Sequence, residues 1–155
     1  MIPEGIHISD LTTQLLDDGV AFVHDDPELH AQLVASREQS PVLHDAGFVV
    51  LNFTPAQPAD LRDIAQDLLL STDLSTIVVR SPDSGAIVST TYSRAHLESA
   101  QHAFLSAPTI EAGVAKLNQE LEASPAVGGT LTLILASVIF LVSIALTLVK
   151  VKHTD

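Results

Sequence analysis

From the N-terminus to residue 121 the apolar residues fall into short groups, some spaced three and four apart and some continuous, and the two patterns alternate. Leu11, Leu15 and Leu16 fit a short helix, and Val20 to Val23 fits an edge strand. Asp26, Pro27 and Glu28 then open a helix. The aspartate can cap free amides, and proline loses nothing in the first turn. Leu29, Leu33 and Val34 share one face of it. The clearest amphipathic helix opens near Pro58, where Leu61, Ile64, Ala65, Leu68 and Leu69 recur while Arg62, Asp63 and Asp67 point elsewhere. A further helix is expected from Arg94 to Phe104 behind a Ser93 cap, with Leu97, Ala100 and Phe104 inward. Another runs from Ile110 to Leu121 behind Thr109.

Three continuous runs read as strands: GFVVLNF at 47–53, TIVVR at 76–80 and AIVST at 86–90. The first is too apolar to leave either face in water, and the turn SPDSG at 81–85 suits a hairpin between the other two. Strands and helices in this order predict a small α/β sandwich with a mixed sheet over residues 1–124.

The pattern changes at the C-terminus. Residues 130–149, TLTLILASVIFLVSIALTLV, contain no charge, proline or amide. Twenty residues at 1.5 Å rise cover roughly 30 Å, the thickness of a bilayer's hydrocarbon core. The hydroxyls of this segment can bond back to the preceding turn, and no polar face remains for water, so a transmembrane helix in contact with membrane lipid is expected. Pro125, Gly128 and Gly129 suggest a hinge at 125–129, and residues 150–155 form a short basic tail. The N-terminal MIPEGIHISD lacks the basic region and apolar run of a secretory signal, so the expected topology is single-pass. Lys150 and Lys152 beside the span favour a cytoplasmic C-terminus and an extracytoplasmic domain. A cytosolic, tail-anchored domain is the competing orientation.

Charge sharpens this division. The chain of 155 residues is 46% hydrophobic with a net charge of −12, yet residues 1–127 hold five of the seven basic and eighteen of the nineteen acidic residues. The domain's own charge is therefore −13, a field that repels nucleic acid and anionic headgroups. Without cysteine there is no disulfide, thiolate ligand or thiol nucleophile.

Candidate chemistry is sparse. Seven histidines make no metal-binding spacing, and the densest set, His24, Asp25, Asp26 and His30, uses Asp26 better as a cap. No GxSxG elbow or phosphate-binding glycine loop occurs. Asp83, in the SPDSG turn, and Asp63 are the candidate ligands for calcium or magnesium; otherwise no cofactor is expected. Thr91, Tyr92, Ser93 and Arg94 place the sole tyrosine beside an arginine at a strand-to-helix junction, which makes this rim the preferred protein-binding surface.

LLDDGVAFV at 15–23, PADLRDIAQDLL at 58–69, IVVRSP at 77–82, VSTTYSRAHLESA at 88–100 and the lone C-terminal span together resemble small actinobacterial single-span membrane proteins with a TPM-like domain. The resemblance implies a βαβ-type domain in the cell envelope and a setting beside secreted cell-wall endopeptidases. A regulator or adaptor that binds an envelope protein, such as a peptidoglycan endopeptidase acting in cell separation, would follow. The same resemblance raises a divalent-cation-dependent phosphatase-like hydrolase as the alternative. Here, however, Asp63, Asp83 and Arg94 match only as isolated residues, without the carboxylate cluster of cation-binding members.

Overall fold

The computed structural model describes residues 2–123. The expected hinge, membrane span and tail, including Lys150 and Lys152, lie outside the described residues. Within them the order is α1 (Ile8–Asp18), β1 (Val20–Phe22), α2 (Pro27–Gln39), β2 (Ala46–Val50), α3 (Pro58–Ser71), β3 (Thr76–Arg80), β4 (Gly85–Ser89), α4 (Arg94–Leu105) and α5 (Ile110–Glu122). The sheet order is β1-β2-β3-β4, parallel through the first three strands and antiparallel at the β3–β4 hairpin. The expected mixed α/β sandwich is present.

Local chemistry accounts for the element ends. Asp26 accepts a bond from the Leu29 N–H at 3.1 Å, Ser93 from His96 at 3.4 Å, and Thr109 from Ala112 at 3.2 Å, each satisfying an amide of a first helical turn. α1 ends at Gly19, whose φ of 81° is a left-handed cap that glycine adopts without a Cβ penalty. β2 is shorter than the apolar run 47–53 suggests. Its partners stop at Val50, opposite Phe22 and Arg80; the Leu51 N–H makes the last bond, to the Arg80 carbonyl at 2.8 Å, and Asn52 and Phe53 leave the ladder.

Alternation along the strands sorts the core into two layers. Ala21, Val49, Ile77, Val79, Ala86 and Val88 pack beneath α1 and α3 with Leu15, Leu61, Ile64 and Leu68. Phe22, Phe48, Val78 and Ile87 face α2, α4 and α5 through Leu33, Ala100, Phe104, Leu117 and Leu121. Leu16 and Leu70 point to solvent instead, at 64% and 77% exposure.

The layering has a consequence for topology. β1, β2 and β3 step in one direction across the sheet, yet the crossover helices α2 and α3 lie on opposite faces. The two parallel crossovers must therefore have opposite hands, so one of them departs from the strong right-handed preference of such units. This arrangement leaves α3 beside β4 on one face and α4 beside β4 on the other.

Candidate functional site

The rim expected at residues 91–94 lies where β4 gives way to α4. Ser89, the last residue of β4, organises it: its hydroxyl donates to the Ser75 carbonyl at 2.9 Å and lies 2.8 Å from the Thr76 hydroxyl. The same oxygen accepts from the N–H groups of Thr91 at 3.0 Å and Tyr92 at 3.4 Å. Thr90 adds a bond from its N–H to the Ser75 carbonyl at 2.9 Å. A loop tied this closely to the sheet has little conformational freedom left to lose.

Only two of the four expected side chains face a common cavity. Tyr92 and Arg94 line a space of about 220 Å³ with Ile87 and Ser89 of β4, Gln101 of α4 and Arg62 of α3. Ser93 serves as the α4 cap, and Thr91 contributes its backbone to the turn. The Tyr92 ring is half-buried, 5.8 Å from the His96 ring, and burial raises its phenol pKa above the ordinary value. The Nε2 of His96 is buried without a hydrogen-bond partner among the described residues. Arg94 pairs with Glu98 across one helical turn at 2.9 Å, with both side chains mostly exposed. Such a pair adds little stability, and either group can be drawn to another partner.

Arg62 and Gln101 were not singled out by sequence reasoning. Arg62 carries a signal, since it sits on the polar face of α3, but nothing in linear order brings that face to β4. Gln101 carries none.

The carboxylates are placed differently. Asp83 accepts from the Thr54 hydroxyl at 3.2 Å and returns its own N–H to the same oxygen at 3.2 Å, so it joins two loops at the C-terminal ends of β2 and β3. Asp63 lies on α3 and is engaged in an interaction. Asp25, Asp26 and His30 line a cavity of about 300 Å³ with Gln14 and Phe22, while His30 Nε2 reaches Asp18 at 3.0 Å. Among the described residues no group of three or more histidine or acidic side chains is positioned to hold a metal ion. No helix among the described residues is long and apolar enough to cross a membrane.

The fold and rim thus define an acidic α/β domain with an ordered polar surface at one sheet edge. The chain belongs to the family described as membrane protein Rv1476, whose model matches residues 1–155. No curated protein and no solved structure matches it.

Proposed function

We propose that this protein is a membrane-tethered, non-catalytic regulator or adaptor whose TPM-like domain binds another protein of the actinobacterial cell envelope. The observation that carries the reading is the Tyr92–Arg94 rim, an ordered turn that presents an aromatic ring and a guanidinium beside a cavity. Tyrosine and arginine are, with tryptophan, the side chains enriched at the anchor points of protein contacts. The apolar stretch at 130–149 supports a single-pass anchor, and membership in a membrane protein family agrees with it. A tether confines the domain near the bilayer, so a weak contact suffices at the resulting effective concentration.

Lys150 and Lys152 support a cytoplasmic tail and an extracytoplasmic domain. In that setting a peptidoglycan endopeptidase active in cell separation is a fitting partner. A photo-crosslinking residue placed at Tyr92 of the full-length protein in cells tests the reading. A discrete adduct that is lost on Arg94→Glu is expected; absence of any discrete adduct overturns it. Protease shaving of intact cells, read with tags at either terminus, separates the envelope orientation from a cytosolic, tail-anchored one.

A further inference from the structure

The outer edge of β4 is half-finished. The Ser81 N–H bonds to the Ser84 carbonyl and the Thr90 N–H to the Ser75 carbonyl. Antiparallel ladders alternate, so with this register the bonded pairs are 79/86 and 77/88, and the peptide groups of Ile87 and Ser89 point away from β3. The Ile87 N–H confirms the alternation by donating outward to Gln101 Oε1 at 3.1 Å. The Ile87 carbonyl and Ser89 N–H have no partner among the described residues. An unpaired row of this kind is a template for another strand.

We propose that β4 accepts an extended acidic segment of the partner protein as a fifth strand, with Gln101 holding the place of one of its peptide groups until it binds. This deepens the adaptor reading above and rests on it. Two observations select an acidic occupant. The cavity along the edge is lined by Arg62 and Arg94 against the single carboxylate of Glu98. The other cavities described at the domain surface carry an excess of carboxylates, as at Asp17, Asp18, Asp45 and Asp73 around Arg37. On a domain of charge −13, this edge is therefore a local basic exception.

The flanking helices set the order of charges. Arg62 stands on α3, above one face of the sheet, and Arg94 on α4, above the other. Successive side chains of an added strand point to opposite faces. Two adjacent acidic residues would therefore place one carboxylate near each arginine, while the main chain bonds Ile87 and Ser89. Arg94 exchanges an exposed ion pair for this contact, and Arg62 has no ion pair among the described residues. Strand addition of this type draws affinity from main-chain bonds and specificity from side chains.

The test uses the full-length protein in detergent micelles and a ten-residue threonine- and valine-rich peptide with two adjacent central glutamates. Controls carry two lysines at those positions, or a proline beside the glutamates. The glutamate peptide is expected to bind and to slow amide exchange at Ser89. Arg62→Glu should weaken it by about tenfold, since like charges then face each other. Gln101→Ala should tighten binding, because the Ile87 N–H is already open. Equal binding of the lysine or proline peptide, no binding of the glutamate peptide, or weaker binding to Gln101→Ala would overturn the proposal. Ser89 protection that grows with protein concentration in the absence of peptide would overturn it in favour of a second copy. The crosslink at position 92 separates the two readings: if it persists while the peptide fails, strand addition is wrong and the adaptor stands. Peptide binding without any cellular adduct leaves the edge chemistry and removes the adaptor.

Discussion

At β1 the side-chain amide of Gln14 meets both peptide groups of Phe22, donating to its carbonyl at 3.2 Å and accepting from its N–H at 3.0 Å, whereas at β4 Gln101 meets only the Ile87 N–H. Asp18 takes the outward N–H of Val20 as well, at 3.1 Å. Side-chain burial separates the two strands less sharply: Val20 and Ala21 are 1% and 0% exposed, while Phe22, at 6%, is close to the 7–8% of Ala86, Ile87 and Val88. Both strands lie at sheet edges, and both use a glutamine as a surrogate peptide. Among the described residues three of the four outward peptide groups of Val20 and Phe22 are met, against one of the four of Ile87 and Ser89, so edge position alone does not leave a strand open. What matters is how many outward peptide groups the chain has already satisfied.

The largest expected effect comes from the device that locks the β1 side. Arg37 donates to the carbonyls of Asp18, His44 and Ala46, joining the end of α1 to the start of β2. Burial lowers its pKa while Asp18, Asp45 and Glu38 oppose that shift. Gly19 makes room for it, because a Cβ there would overlap the guanidinium. Arg37→Ala strips charged donors from three carbonyls, and a loss of about 3 kcal/mol is expected from urea unfolding of the full-length protein followed by circular dichroism. A loss under about 1 kcal/mol would mean that water replaces the guanidinium freely and that the β1 side is not locked.

The two glutamines should then differ. Gln14→Leu removes both partners of Phe22, which is only 6% exposed, and should cost about 2 kcal/mol with faster amide exchange at Phe22. Gln101→Leu removes one bond at an edge that still reaches water and should cost about 1 kcal/mol or less. Equal losses would break the distinction between the edges.

Much of the frame behind this comparison was legible along the chain, because it is local. The caps at Asp26, Ser93 and Thr109 lie within three residues of the amides they satisfy, and the SPDSG turn forces its flanking strands together. The opposite hands of the two crossovers were not legible. They depend on which face α2 and α3 choose, and both helices offer an apolar side to either. The rim was half legible: Tyr92 and Arg94 stood out by residue type, but their neighbour Arg62 is reached only through the packing of α3 on β4. The edge glutamines were invisible because a glutamine on a helix surface is ordinary until a strand edge lies within its reach. Leu16 shows the reverse failure, for it follows Leu15 in an apolar group yet faces water because helical rotation carries adjacent residues to different sides.

The smallest effect concerns the open edge itself. Tyr92 is the sole tyrosine and the chain has no tryptophan, so its ionisation can be followed by ultraviolet absorbance without interference. Burial raises its pKa in the folded state above the ordinary value of about 10. The folded chain then keeps the phenol proton at pH values where the unfolded chain releases it. Stability is thus unaffected by this group below the ordinary value, falls as the pH rises through it, and stops falling above the folded value. The titration midpoint of the full-length protein in detergent should lie above that of the same chain in guanidinium. Coincident midpoints would place the ring in water, and the β4 edge would lose the packed flank that distinguishes it from an unguarded strand.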